Sequence, residues 1–483
     1  MPELTQRRRL LVLAICCMSL LIVAMDVTIV NVALPAIRSD LHASLSGLQW
    51  TIDSYLLVIA SLLMLAGSTA DRLGRRRTFQ AGLVLFTIGS LLCSLAPGLG
   101  WLVAFRMVQA VGGSMLNPVA MSIITNVFTD PRDRARAIGV WGGVVGISMG
   151  LGPVVGGLLI GTVGWRAIFW INIPIGLVAF VLAALFVPES KADRARRPDP
   201  MGQLLVLVAL ASLTYAIIEA PRSGWASATT LGLVALSLAA VVGLLVYEPR
   251  RTDPLLELRF FRSVPFSGAT VTAVCAFGAF AGFLFLNTLY LQDVRGLSAL
   301  QAGLCTLPMA LMTLVFAPLS GRLVGARGPR VPLLVAGTGM CAGALMLVAL
   351  GAGTSLGWVL ASYVVFGIGF GMVNSPITNT ALSGMPRSQA GVAAAVASTS
   401  RQVGAALGVA VVGAVLNSGL HGPIRTGFTA ASHPAWWVVA GSGLAVLALG
   451  ALTTGRWAIS TAARTAHLFA DDEREQTPAP APA

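Results

Sequence analysis

Charge is scarce in this chain. Only 11% of the 483 residues are charged, against about 25% in an ordinary soluble domain. A water-facing shell around a globular core is therefore excluded. Lysine is nearly missing: Lys191 is the single one, and the other 31 of the 32 basic residues are arginine, a bias that reads as G+C-rich coding and not as chemistry. Histidine is limited to His42, His421, His433 and His467, isolated in loops and tail. No G-x-x-x-x-G-K-[ST] phosphate loop occurs, which argues against ATP drive within this chain. A membrane enzyme would need clustered nucleophiles, metal ligands or acid–base pairs, and a receptor would need a soluble sensing domain; neither is present, so no catalytic residue and no metal site is expected. Cys16, Cys17, Cys93, Cys275, Cys305 and Cys341 lie inside or at the edge of apolar runs, which suits small packing residues and not a disulfide framework. Strand-like alternation is lacking too, so a membrane β-barrel is set aside.

What is abundant is apolar sequence. Hydrophobic residues make up 56% of the chain, in runs such as 10–33, 79–96, 169–187 and 436–452. Each is close to the roughly 20 residues that cross a bilayer as a helix. The expectation is an all-α membrane protein with fourteen spans, roughly 10–33, 47–69, 79–97, 101–125, 137–161, 168–187, 201–220, 229–248, 266–291, 299–320, 331–350, 357–380, 390–416 and 435–457. Arg7, Arg8 and Arg9 before the first run resemble a secretory signal, but the run is too long for one and reads as an uncleaved span.

The net charge of +13 would suit nucleic acid if the charges were clustered. They alternate instead. With the N-terminus in the cytoplasm, 25 of the 32 basic residues fall on the inner side and five (Arg38, Arg166, Arg222, Arg295, Arg425) on the outer side, while Arg106 and Arg401 lie within spans. That is a strong positive-inside pattern, and it places both termini in the cytoplasm. The segment 458–483, acidic at Asp471–Glu475 and ending in Pro-Ala repeats, reads as a disordered tail.

Three charges inside spans stand out, because ionisable residues in a bilayer are costly and usually mark a functional pathway. Asp26 in span one and Asp53 in span two lie roughly 10 Å below the outer surface, and Arg106 in span four roughly 8 Å. Two acids against one base leave one carboxylate without a dedicated partner, which suits a group that takes up and releases a proton. A purely structural Asp–Arg pair remains the alternative, as does a hydrated Asp53. Thr28 and Asn31 share a face of span one and could hydrogen-bond another helix. Arg401 is expected near mid-depth of span thirteen, lining a cavity or facing a gate.

Two small-residue motifs complete the inventory. Gly67-Ser-Thr-Ala-Asp71-Arg72-Leu-Gly74-Arg75-Arg76-Arg77 joins spans two and three. Glycine there permits a tight turn, and Asp71 is placed to cap the next helix or pair with an arginine. Gly146-Ile-Ser-Met-Gly150-Leu-Gly152-Pro153-Val-Val-Gly156-Gly157 lies in span five, where small residues allow close packing and proline a bend.

Together these segments resemble the major facilitator superfamily, in particular its fourteen-span drug:proton antiporter branch, over roughly residues 10–457. The loop Gly67–Arg77 is similar to G-x-x-x-D-R-x-G-R-R, Gly146–Gly157 to the antiporter motif G-x-x-x-G-P-x-x-G-G, and Asp26–Pro35 to the first-helix motif of the branch. Arg106-Met-Val-Gln109 resembles R-x-x-Q-G with Ala110 in place of glycine, and Trp165–Pro174 is also typical. The resemblance implies two six-helix bundles (10–187 and 266–457), a linker of two inserted helices (188–265), and short cytoplasmic ends (1–9 and 458–483). Gly321-Arg322-Leu323-Val-Gly325 is a degenerate echo of the first loop, as expected of a duplicated half. It also implies alternating access: export of small lipophilic compounds, cationic ones among the candidates, in exchange for protons. No cofactor beyond the proton motive force, no nucleic acid, and a monomer in the bacterial inner membrane are expected. Asp26, Asp53 and Arg106 would couple protons to substrate, with Asp71 and its arginines as a cytoplasmic latch. A proton-coupled nutrient importer is the alternative, which the span-five motif disfavours.

Overall fold

The computed structural model describes residues 5–192, 199–251, 254–383, 385, 390–455 and 457–465. Among the described residues no strand occurs. Thirteen helices are long and apolar enough to cross a membrane, and the apolar Arg330–Leu345 is shorter. In chain order they are α1 (Gln6–Leu41), α2 (Leu45–Leu73), α3 (Arg75–Ser94), α4 (Leu99–Val127), α5 (Arg132–Thr162), α6 (Ala167–Phe186) and α7 (Pro200–Ser223). The second half continues with α8 (Ala228–Arg250), α9 (Val264–Val294), α10 (Ala299–Arg327), α11 (Arg330–Leu345), α12 (Leu356–Leu382), α13 (Gly391–Gly419) and α14 (Ile424–Thr453).

Local chemistry sets the helix ends. Ser44 accepts from the Gly47 amide at the start of α2, Asp130 from two amides at the start of α5, and Ser298 forms a reciprocal capping box with Gln301 before α10. Each satisfies amides that a helix start leaves unpaired. Between α2 and α3 the chain reverses at Gly74 with φ of +114°, a conformation that a Cβ penalises.

Three boundaries differ from expectation. α1 runs to Leu41 through Pro35, so the first connection shrinks to residues 42–44. α14 starts at Ile424 and continues through Pro434. Both ends are held by packing, which overrides the helix-ending tendency of an interior proline: Arg38 on the extra turns of α1 reaches Asp293, and Phe428 and Ala431 of α14 are buried. The tail departs as well. Residues 457–465 are helical, with Ala458 and Ala462 buried and the Thr461 hydroxyl accepting from the Val264 amide at 3.0 Å. Residues 466–483, including the acidic stretch, lie outside the described residues.

Helices α1–α6 pack mainly on one another, as do α9–α14, with α7 and α8 forming a hairpin. Helix α7 rests on both α2 and α13, and Trp50 meets Tyr215 with ring centroids 5.5 Å apart. Glycines bring backbones together in the second bundle: a Cβ at Gly404 or Gly408 of α13 would overlap the α9 backbone at Val274 or Gly278.

The bundles meet at the arginine-poor end. Arg38 pairs with Asp293 at 2.8 Å, the Gln292 amide donates to Val32 O at 2.9 Å, and the Gln49 amide donates to the Val409 and Ala410 carbonyls. Towards the basic end α5 leaves α10. One face of α5 carries Gly150 and Gly146, where a Cβ would touch Ala310 and Leu314 of α10. The same face continues, at i−4 and i−7 spacing, to Gly142 and Gly139, where a Cβ meets nothing within 4 Å. The structure is closed at the arginine-poor end, and along α5 the contact between the bundles ends towards the other.

Gly408→Val should overpack α9 against α13 and cost about 1–3 kcal/mol, read as a lowered Tm of the detergent-purified protein. Gly441→Val, where a Cβ meets open space, is the control and should melt with the wild type. Equal melting of all three would contradict the close α9–α13 packing.

Candidate functional site

Asp26, Arg106 and Asp53 do not form one cluster. Asp26 and Arg106 pair at 2.5 Å, with side chains 0% and 1% exposed. Around them the hydrogen bonding is continuous. The same Arg106 nitrogen donates to Gln109 Oε1 at 2.7 Å, and Arg106 Nε to the Thr51 carbonyl at 3.3 Å. Gln109 Nε2 donates to Asp26 Oδ1 and to Ser90 Oγ, both at 2.8 Å. Asn172 Nδ2 reaches the same two oxygens at 3.3 Å. The guanidinium lies over the Tyr55 ring, 4.0 Å from its centroid, a cation–π contact strengthened by the absence of water. Five helices, α1, α2, α3, α4 and α6, contribute to this network.

Asp53 points elsewhere. Thr51 and Tyr55, which face Arg106, are each two residues from it, about 200° around the helix. Asp53 instead shares the side of α2 that carries Gln49, one turn earlier, and Gln49 reaches α13. Asp53 is fully buried, and neither carboxylate oxygen has a hydrogen-bond partner among the described residues. The expected surplus carboxylate exists, but the expected like-charge crowding against Asp26 does not, because the helix places the two acids on opposite sides of α2.

The span-one polar residues also differ from expectation. Thr28 Oγ1 donates to Met25 O at 3.1 Å and Asn31 Nδ2 to Val27 O at 2.8 Å. Both bond within α1 and not to another helix, the short-range option always open to a helical Thr or Asn. Arg401 on α13 donates to Thr378 Oγ1 at 2.7 Å and lies 5.9 Å from the Phe277 ring centroid. Its Nε has no partner, and no carboxylate within ion-pair distance is present among the described residues.

The glycines of α5 form a two-sided wedge. A Cβ at Gly152 or Gly156 would strike Thr28 or Ile29 of α1. On the other side, a Cβ at Gly157 would strike the backbone of Ala299 and Leu300, and Gly303 of α10 has no room for one beside the Pro153 carbonyl. The motif therefore lets α5 lie backbone-close to both bundles.

In the loop after α2, Asp71 pairs with Arg75 at 3.1 Å and caps no helix. Arg72 lines a shallow surface cleft with Ser68 and Thr69, and a Cβ at Gly67 meets nothing within 4 Å. Glu189, which sequence reasoning passed over, organises this loop. Its Oε1 accepts from the Arg76 amide at 3.1 Å, its other oxygen lies 3.8 and 3.7 Å from Arg76 and Arg77, and it fills the space that a Cβ on residue 74 would need. The Arg75 amide donates to Ser190 O and the Ala192 amide to Asp71 O. Ser90 and Asn172 were likewise missed as network members; polar residues within apolar runs were their only signal. At the arginine-poor end Asp40 takes Trp165 Nε1 at 2.9 Å and Arg166 at 2.6 Å, tying α1 to the turn before α6. Among the described residues no three His, Cys, Asp or Glu side chains converge to hold a metal.

Comparison with known proteins places this geometry. The family description "Major Facilitator Superfamily" matches residues 16–409. The chain is 39% identical over 399 residues to the tetracenomycin C resistance and export protein of Streptomyces glaucescens, covering 82% of this chain and 74% of that one. It is 37% identical over 410 residues to the multidrug resistance protein Stp of Mycobacterium tuberculosis, covering 85% and 76%. It is 36% identical over 399 residues to the methylenomycin A resistance protein of Streptomyces coelicolor, covering 82% and 83%. A bacterial homologue of the human lysosomal transporter Spinster, solved in an inward-facing, occupied conformation, superposes with a TM-score of 0.65 at 17% identity, over 98% of this chain and all of that one.

The two acids should answer differently to neutralisation. Asp26→Asn strands a buried guanidinium and should cost about 3–5 kcal/mol, seen as reduced membrane abundance and Tm, with partial recovery on adding Arg106→Gln. Asp53→Asn removes no hydrogen bond or ion pair and should match the wild type in both. Equal loss in the two single variants would refute the division between them.

Proposed function

Because the chain belongs to the major facilitator superfamily, we propose that it exports small lipophilic compounds of the drug and antibiotic class in exchange for protons, by alternating access between its two bundles. The basic end lies in the cytoplasm with both termini, the membrane is the bacterial inner membrane, and the working unit is a monomer energised by the proton motive force without a cofactor. The arginine asymmetry supports the orientation, and the roles for which the relatives are named, resistance and export, favour export over proton-coupled import.

The observation that carries proton coupling is Asp53: a fully buried carboxyl group, on the side of α2 whose Gln49 reaches α13, with no hydrogen-bond partner among the described residues. An ionised carboxylate in that position pays its desolvation without return. Closing the α2–α13 seam is therefore favoured once the group is protonated from the outer side, and release follows when the rearranged bundles expose it to cytoplasmic water. Proton loading and bundle movement are thereby one equilibrium, which is what exchange needs. Asp26, already matched by Arg106, Gln109 and Asn172, holds the first bundle together while the seam works. Substrate would enter from the cytoplasmic opening and leave past the Arg38–Asp293 seal.

Inverted vesicles containing wild-type protein should accumulate a lipophilic dye against its gradient when a proton gradient is imposed, and an uncoupler should abolish this. Asp53→Asn should lose gradient-driven accumulation but keep dye-for-dye counterflow. Uphill transport that survives either the uncoupler or Asp53→Asn would refute the assignment.

A further inference from the structure

A narrow cleft lies directly inside the closed end, between α1, α9, α10 and α12. Val32, Phe283, Asn287, Leu291, Met309 and Tyr363 are among its walls. It sits immediately below the seal, since Leu291 is the neighbour of Gln292, whose amide is bonded to the Val32 carbonyl. In this closed arrangement it has room for about one water-sized group.

Two polar atoms in its walls are unmatched. Asn287 gives its Nδ2 to Phe283 O at 2.9 Å, which leaves Oδ1 as a free acceptor, and that atom has no partner. The Tyr363 hydroxyl is also without a partner, both absences holding among the described residues. Asn287 is 1% exposed and Tyr363 0%. Buried polar groups are nearly always hydrogen-bonded, so two orphans on residues that line one cleft call for a shared visitor as the cleft widens. An alcohol or phenol fits both: its hydrogen goes to Asn287 Oδ1 and its oxygen accepts from Tyr363. Apart from Thr288 and Thr306 the rest of the wall is apolar, and no carboxylate or guanidinium lines it, so a cation would find no counter-charge. Phe283 is held rigidly for ring contact, stacked on Phe366 at 4.1 Å and edge-on to Tyr363 at 5.2 Å.

We propose that this cleft is a substrate subsite for the hydroxyl of a neutral aromatic compound, with Asn287 and Tyr363 as its hydrogen-bonding pair. It rests on the export reading and deepens it. The ligand site is distinct from Asp53 on the α2–α13 seam, so substrate and proton do not compete for one group. Its place just inside the seal makes it the last station before release, widening as the seal parts.

The test is equilibrium dialysis of the purified full-length protein with 2-naphthol and 2-methoxynaphthalene, with no proton gradient. Wild type should bind 2-naphthol roughly 3- to 10-fold more tightly, the range of one or two net hydrogen bonds. Tyr363→Phe and Asn287→Ala should each reduce that preference and leave 2-methoxynaphthalene binding unchanged. The two variants lie on different helices, so misfolding of one leaves the other informative. Absence of saturable 2-naphthol binding by wild type would overturn the proposal, as would a preference untouched by both substitutions. Lowered thermal stability with an unchanged preference would assign the orphan pair to a structural water and also overturn it. Discriminating binding by a protein that fails to pump would overturn the export reading alone.

Discussion

The Asp26–Arg106 pair is the constraint on which the first bundle is built. Two ions removed from water are stable only if every remaining donor and acceptor finds a partner. Here Gln109, Ser90, Asn172, the Thr51 carbonyl and the Tyr55 ring supply those partners. They come from α2, α3, α4 and α6, so with Asp26 on α1 satisfying one pair fixes the mutual positions of five helices. The second bundle has no such centre among its described residues. Its middle is an aromatic pile in which Phe283 contacts Tyr363, Phe366 and Trp436, and Phe280 stacks on Phe370 at 4.1 Å. One half is specified by polar matching and the other by shape.

Between two such rigid bodies, the contacts are of a different kind. Helix α5 meets α10 across its glycines, and α2 packs along α13 with the Gln49 amide bonded to two carbonyls near the closed end. Side chains that interdigitate resist sliding; backbone laid against backbone resists much less, because few rotamers must change. The polar ties, Arg38–Asp293 and Gln292–Val32, lie at the rim, where water can replace them. The interface is thus suited to opening at one end without disturbing either core.

Much of this was legible in sequence. Long apolar runs and the three intramembrane charges sufficed for the helices and the presence of one surplus acid. What the one-dimensional reading lacked was rotation about the helix axis. Depth arithmetic put Asp26, Asp53 and Arg106 in one layer, and only the angle about α2 separates Asp53 from the pair. Glu189 was invisible for a related reason: its partners lie more than a hundred positions earlier, and a glutamate after an apolar run looks like any solvated end. Helix limits failed at Pro35 and Pro434, where rim packing outweighs the local preference for a break.

The inserted hairpin gains significance from where α7 rests. It touches both α2 and α13, so it spans the joint along which Asp53 is hidden. A joint that opens and shuts within a bilayer has two margins, one towards the aqueous interior and one towards the acyl chains. Without a cover on the second margin, each cycle would present a carboxyl group to hydrocarbon or draw water sideways along it, and the proton gradient would drain through the wall. In the proposed proton-coupled cycle, helix α7 would act as lateral insulation for that joint, and the two additional spans would help keep the gradient usable.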